Sequence, residues 1–151
     1  MTLSQDAARQ MVLMEVGVAS VRDIVTWADK VIIASDRPHP ILIDVSTADI
    51  DRYYDVYGYL RKLACDVSRF DALRYALPAI RESIENGRLA SDRAASSIYV
   101  YLCGQYSEIP EDMRYLYVAD DEFYLAVAEN YGDRAQIEKK FLQTMHNAEK
   151  A

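Results

Sequence analysis

The chain has 151 residues, of which 51% are hydrophobic and 27% are charged, and this composition excludes an intrinsically disordered protein. Its formal net charge of −7 would repel nucleic-acid phosphates, which argues against direct binding to nucleic acid. Five glycines and four prolines are too few for the many tight turns of an all-β protein, so we expect a single all-α domain over residues 1–151.

Two helices are predicted at the start of the chain. Apolar residues at helical spacing indicate a first helix that begins near Thr2 or Ser4 and ends at Gly17, because glycine suits the left-handed position after a helix. Ser20 and an aspartate three residues later form a capping-box-like start for the second helix. Trp27 flanks the apolar face of this second helix and is predicted to be largely buried.

Residues 37–46 interrupt the helical pattern. Pro38 and Pro40 disfavour helix at the residues that precede them. The sequence ILIDVS that follows is rich in β-branched residues and alternates between apolar and polar, but no second β-rich run is present to pair with it. The pattern therefore predicts a stiff, extended connector, with its apolar side plugged into the core.

Three further helices are predicted in the middle of the chain. The first is capped by Ser46 or Thr47, and the next begins after Ser68 and contains Pro78, which should kink or split it. The last is capped by Ser91 and carries apolar residues almost all the way round, which is typical of a central, buried helix.

The final third of the chain predicts a helix that opens at Pro110, a helix capped by Asp120 and a last helix over 133–150. No motif recurs at a fixed period, and no linker divides the chain. The expected architecture is a single-domain bundle of about seven helices with short loops and one extended, proline-containing connector over 37–46.

Residue patterns for catalysis or metal binding are sparse. A catalytic triad needs a histidine base, but His39 lies between two prolines and His146 lies near the end of the last helix, and neither accompanies a nucleophile motif. Zinc-binding spacings and glycine-rich phosphate loops are absent. The acidic stretches DIDRYYD and DDE could bind magnesium, although helix starts also favour acidic residues. We therefore expect no enzyme activity, no cofactor and no metal site.

Cysteine usage and the N-terminus bear on the compartment. Cys65 and Cys103 lie on helical faces that look apolar, which indicates two buried thiols in a reducing environment, with a single disulfide as the alternative. The opening MTLSQDAARQ lacks the basic start and apolar core of a signal peptide, and no apolar run approaches the roughly 20 residues of a membrane span. We expect a cytoplasmic protein without a membrane partner.

The chain contains 12 tyrosines against 3 phenylalanines. Partly exposed tyrosines beside carboxylates suit a protein interface, whereas core tyrosines whose hydroxyls reach the surface are the alternative. An acidic stripe lies opposite the apolar face of the third predicted helix, and an acidic corner opens a later helix. The candidate partner-binding residues are Asp51, Asp55, Tyr59 and Asp66 in the stripe and Asp120, Asp121 and Glu122 in the corner.

The segment VRDIVTWADKVIIASDRPHPILIDVSTA, residues 21–48, joins a helix that carries Trp-Ala-Asp, a proline-containing break and an aliphatic run that ends in serine. The pattern is carried by Val21, Ile24, Trp27, Ala28, Asp29, Pro38, Leu42, Ile43 and Ser46. It resembles small all-α bacterial immunity proteins of contact-dependent growth inhibition and polymorphic toxin systems. The resemblance transfers no functional residue, because the matched positions look structural.

The resemblance implies a non-enzymatic protein that neutralises a cognate toxin domain by direct binding. The net charge of −7 would attract a basic toxin domain, although acidity is also a common device for solubility. A helical adaptor or regulatory protein unrelated to toxins is the alternative function. The oligomeric state is left open by the sequence.

Overall fold

The structure is a computed structural model, in which residues 1–149 are described. These residues form one compact all-α arrangement without a β-strand. The eight α-helices are α1 (Leu3–Val16), α2 (Val21–Ile33), α3 (Pro40–Ser46), α4 (Tyr53–Leu63), α5 (Arg69–Glu85), α6 (Ser91–Leu102), α7 (Arg114–Ala128) and α8 (Arg134–Glu149). Two short 3-10 helices, Tyr106–Glu108 and Glu111–Met113, connect α6 to α7. Lys150, which the predicted last helix included, lies outside the described residues.

Three predicted helix starts are confirmed by their capping hydrogen bonds. The Thr2 side chain accepts from the backbone of Gln5 and caps α1, which ends at Gly17 with a φ of +84° in the left-handed region. Ser20 forms the predicted capping box at the start of α2. The Ser68 hydroxyl caps α5 in the same way by accepting from a backbone N–H of the first turn. Short-range side-chain chemistry therefore specifies these boundaries.

The extended connector predicted over 37–46 is wrong for most of its length, because residues 40–46 form α3. Pro40 occupies the first helical position, where its missing N–H is not needed and its fixed φ favours the helix. His39 remains extended and caps the helix, since its Nδ1 accepts from the backbone N–H of Ile41 at 3.2 Å. Leu42 and Val45, three residues apart, supply the buried face.

Two predicted N-caps have other roles. Ser46 belongs to α3, and its hydroxyl donates to Asp29 on α2, so it ties two helices together instead of capping a third. Helix α4 begins only at Tyr53 and has no side-chain cap. Ser91 is the first residue within α6, where its buried hydroxyl donates to Glu138 of α8 at 2.6 Å. In both cases a tertiary contact takes the hydroxyl that a local pattern assigned to a cap.

Neither of two predicted helices is split where the sequence allowed a break. Helix α5 runs unbroken through Pro78, whose side chain is exposed, while its buried side packs against α1 and α8. Helix α7 runs unbroken through Asp120, so the two helices predicted there are one. Its buried residues Leu116, Ala119 and Phe123 continue a single stripe along one face, and this burial outweighs the preference of aspartate for a cap.

The central helix is α1, and not α6 as the sequence predicted. Half of the residues are buried in α1 and in α6 alike, so the two helices differ in their packing partners: α1 packs against α2, α4, α5 and α6, whereas α6 packs mainly against α7. Helix α6 looks apolar on several sides in the sequence because one of its apolar residues, Val100, lies on the solvent face, where 70% of its surface is exposed. An exposed apolar residue of this kind cannot be distinguished from a buried one by periodicity alone.

Two arginines of α5 contact α8 and the second 3-10 helix. The Arg74 guanidinium forms two hydrogen bonds with Asp112, at 2.6 and 3.0 Å, and also donates to the backbone carbonyl of Ala148. Arg81 forms a similar forked pair with Glu149, at 2.7 and 3.1 Å. The Arg74 guanidinium lowers the pKa of the Asp112 carboxyl from its usual value. The Arg81 pair and the hydrogen bond from Arg74 to Ala148 fix α8 beside α5, while the Arg74–Asp112 pair fixes the second 3-10 helix there.

The prediction of two buried thiols is wrong, because Cys65 and Cys103 are both free and exposed. Cys65 follows the end of α4 and Cys103 follows the end of α6, so each lies just beyond the helical periodicity from which burial was inferred. Among residues 1–149, no helix combines the length and the apolar content that crossing a membrane requires.

Trp27 is partly buried and packs against the core, which agrees with the prediction of a largely buried ring, and its indole N–H donates to Asp6 of α1 at 2.8 Å. We expect Trp27→Ala to lower the unfolding free energy by about 2 kcal/mol, less than the roughly 3 kcal/mol lost with a fully buried tryptophan. Trp27→Phe keeps most of the packing and should cost about 1 kcal/mol through the lost hydrogen bond. Urea denaturation measures both variants, and equal costs for the two would contradict this division between packing and hydrogen bonding.

Candidate partner-binding groove

The acidic stripe predicted on the third helix does not form one helix face. Only Asp55 and Tyr59 belong to α4, whereas Asp51 precedes the helix and Asp66 follows it. Asp55 pairs with Arg52 at 3.3 Å, and Asp66 accepts a hydrogen bond from Ser4. These partners already compensate two of the three carboxylates. A binding role for the stripe stays a prediction.

The tyrosines of α4 face in different directions. Tyr54 is 86% exposed, whereas Tyr53, Tyr57 and Tyr59 are half-buried. The Tyr53 and Tyr57 rings stack with their centroids 6.3 Å apart. Three of these four tyrosines therefore pack against the protein itself, and only the Tyr54 ring is available to a partner.

The acidic corner is divided between two sides of α7. Consecutive helical residues point about 100° apart, so Asp120, Asp121 and Glu122 cannot share one face. Asp120 accepts from the hydroxyl of Ser96 on α6, and Asp121 is exposed beside it. Glu122 turns away and accepts from the hydroxyl of Tyr115 at 2.5 Å. Only the two aspartates point toward α6.

A groove of about 940 Å³ lies where Asp120 and Asp121 face α6, and we call it the acidic groove. Its walls come from the C-terminal end of α1, from α6 and from α7. The lining residues are Glu15, Val16, Gly17, Leu89, Asp92, Arg93, Ser96, Ser97, Asp120, Asp121, Phe123, Tyr124, Val127 and Ala128. The groove therefore combines polar and apolar walls, as binding sites for other molecules commonly do.

The charges that line the acidic groove are unequal in sign: four carboxylates face one arginine, Arg93. Asp92 is partly compensated by Arg134 at 3.5 Å, and Asp120 is held by a neutral hydroxyl. Asp121 has no ion pair among the described residues. Exposed apolar surface adjoins these charges, because Tyr124 is 63% exposed and Val127 is 56% exposed. The groove thus offers an anionic centre beside an apolar rim.

The sequence prediction included only Asp120 and Asp121 of this groove, and Glu15 is among the lining residues that it missed. It lies one residue before the end of α1, and its Oε1 accepts from the Tyr57 hydroxyl at 2.7 Å. Its Oε2 is buried and has no hydrogen-bond partner. No local signal distinguishes Glu15 from a solvated glutamate, because its surroundings come from α4 and α6. A carboxylate oxygen of this kind lacks the compensation that burial normally requires.

A second groove, of about 330 Å³, adjoins the acidic groove at Glu15. The two share Glu15, Ser96 and Ser97, and the second continues to Val100 on α6 and to Arg69 and Tyr101. The Arg69 guanidinium donates to the backbone carbonyl of Tyr101 and lies 4.5 Å from the centre of that ring. This cation is therefore engaged elsewhere and forms no ion pair with Glu15.

The two histidines lie away from this groove. His39 caps α3, and His146 on α8 lies 3.7 Å from Glu149. Within residues 1–149, no three His, Cys, Asp or Glu side chains group closely enough to hold a metal ion.

Burial, assisted by the hydrogen bond to Glu15, raises the pKa of Tyr57 to about 12. A pKa raised in the folded state means that neutral Tyr57 stabilises the fold fully below about pH 10, and that this contribution is lost as the pH rises through about 12. We expect the difference in tyrosinate absorbance between the wild type and Tyr57→Phe to have its midpoint near pH 12. A midpoint near pH 10 would show that the hydroxyl is solvated and not bound to Glu15.

No protein-family model, no curated protein and no solved structure gives a significant match to the chain. The similarity of residues 21–48 to immunity proteins therefore stays a prediction from the sequence.

Proposed function

We propose that the protein is a non-enzymatic binding protein that neutralises a basic toxin domain by docking it over the acidic groove, as an immunity protein does. The observation that supports this proposal is the groove itself, in which four carboxylates face one arginine beside exposed Tyr124 and Val127. The sequence-level similarity of residues 21–48 to immunity proteins agrees with it.

Two physical effects would act together in such a complex. The carboxylates and the net charge of −7 attract a cationic surface over a distance and speed the encounter. The exposed tyrosine and valine then supply apolar contact area, which prolongs the life of the complex. Tyrosine suits this role because a large, rigid ring loses little conformational freedom on docking.

The proposal is tested by searching the neighbouring genes for a toxin domain and assaying the protein against it. Co-expression should restore growth, and the purified protein should inhibit the toxin domain with a stoichiometry of one to one. Full inhibition by a small fraction of an equivalent would indicate an enzyme. A protein that captures no neighbouring toxin domain, and binds a partner without excess positive charge, would instead be the helical adaptor.

Charge reversal distinguishes the acidic groove from the stripe near α4. We expect Asp121→Lys to slow association with the basic toxin domain about three- to tenfold at low salt, because the exposed carboxylate steers the encounter. High salt should shrink this effect. Asp44→Lys, at an exposed position on α3, is the matched control and should change the rate less. Stopped-flow fluorescence measures the rates.

The single variants Asp51→Lys and Asp55→Lys, which change the charge by the same amount as Asp121→Lys, examine the stripe in the same assay. A slower association with either of them than with Asp121→Lys would move the docking surface to α4. Rates that respond equally to all the variants would show that only net charge matters and would contradict a defined site.

A further inference from the structure

Glu15 stands at the junction of the two grooves, and its environment leaves one oxygen without a donor. Oε1 is held by the Tyr57 hydroxyl at 2.7 Å, while Oε2 is buried and unpartnered. An anionic oxygen that loses water without gaining a donor is unfavourable by more than a neutral group would be. A donor brought by another molecule would remove this cost on binding.

We propose that Glu15 receives one lysine or arginine side chain of the partner, from a segment in which apolar residues flank that cation. This inference rests on the proposed function and deepens it by naming the anchor and the chemistry of the occupant. Rotation about the last torsion of a glutamate is soft, so a small turn presents the carboxylate to either groove without moving α1. The Tyr57 hydroxyl can follow either oxygen.

The two arginines that line these grooves do not pair with the free Oε2 of Glu15. Arg69 lines the second groove but is held by the Tyr101 carbonyl and ring. Arg93 lines the acidic groove on the exposed side of α6 and makes no ion pair with Glu15. Neither side chain therefore satisfies the free oxygen, and the site accepts a cation from outside.

The apolar surface around Glu15 determines the rest of the occupant. Val100 is 70% exposed at the end of the second groove, and Tyr124 and Val127 are 63% and 56% exposed along the acidic groove. Apolar surface thus lies on both sides of the carboxylate. A partner segment with a central cation and apolar residues on either side would contact the Glu15 carboxylate and the apolar surface on both sides of it. Amphipathic segments bind in the grooves of other helical proteins in this way.

The probe is a short, end-blocked peptide of leucine, alanine and a single central arginine, with a second peptide that carries glutamate in place of arginine. We expect the arginine peptide to bind one to one. The amide resonances that shift should belong to Ser96, Ser97, Val100 and Val127. The glutamate peptide should not bind. Shifts that spread over the whole acidic surface, shifts centred on α4, or no binding at low salt would each overturn the proposal.

Two variants test the anchor. Glu15→Gln keeps the size of the side chain and an acceptor for Tyr57, and it should weaken peptide binding about tenfold, as expected for a lost charge-assisted hydrogen bond. Asp44→Asn removes one charge outside the groove and should leave the affinity unchanged. Equal loss in both variants would reduce the effect to net charge and overturn the anchor.

Val100→Arg provides a second test that does not disturb the core, because Val100 is exposed. The added cation should compete for Glu15 and weaken the arginine peptide, and unchanged affinity would contradict the proposed path of the occupant. Resonances of the groove that move with protein concentration alone would show instead that a second copy of this chain occupies it.

The toxin assay separates this inference from the proposed function. If Glu15→Gln still neutralises the toxin domain with unchanged affinity, the role of Glu15 as an anchor is contradicted and the proposed function is retained. If peptide binding depends on Glu15 but no toxin domain is captured, the role of Glu15 as an anchor is retained and the proposed function is contradicted.

Discussion

Helix α1 packs against α5 and at the same time against α2, α4 and α6, so most of the bundle is assembled around one helix. Both α1 and α5 bury alanines, namely Ala7, Ala8, Ala72 and Ala76, each with at most 1% of its surface exposed. Small side chains allow two helices to approach closely, and close packing leaves little freedom for either to shift. The position of α1 is therefore set by the core from Ala7 to Val16.

This constraint carries through to the acidic groove. Because α1 is fixed in the core, its last turn delivers Glu15 to the surface at a defined place between α4, α6 and α7. The carboxylate is then held by Tyr57, a residue of a different helix. The packing of α6 against α7 forms the other walls and aligns Asp120 with Ser96. The groove is thus a consequence of how α4 and α6 pack against α1 and how α7 packs against α6, and no single segment encodes it.

The parts of the fold that could be predicted are those that local chemistry decides. Thr2, Gly17, Ser20 and Ser68 mark helix ends through contacts within a few residues, and the sequence is sufficient to place them. Residues 40–46 were misassigned because their alternating pattern suits an extended chain, while Pro40 equally suits the first turn of a helix. Tertiary burial of Leu42 and Val45 decides between the two, and burial is not a local property.

The same limit applies to the candidate site. Counting carboxylates identified Asp120 and Asp121, but it also grouped them with Glu122, which the helix turns away. Glu15 gave no signal, since an orphaned oxygen arises only when other helices bury it. Electrostatic composition can therefore indicate the sign of a partner, whereas the anchor and the shape of its site depend on the assembled bundle.

A crystal structure of the complex with the basic toxin domain tests the central claim most directly. The account predicts a lysine or arginine nitrogen of the toxin domain within hydrogen-bond distance of the Glu15 carboxylate, about 3 Å, with apolar side chains against Val100 and Val127. A complex in which the acidic groove is empty and the toxin domain rests on α4 would contradict it.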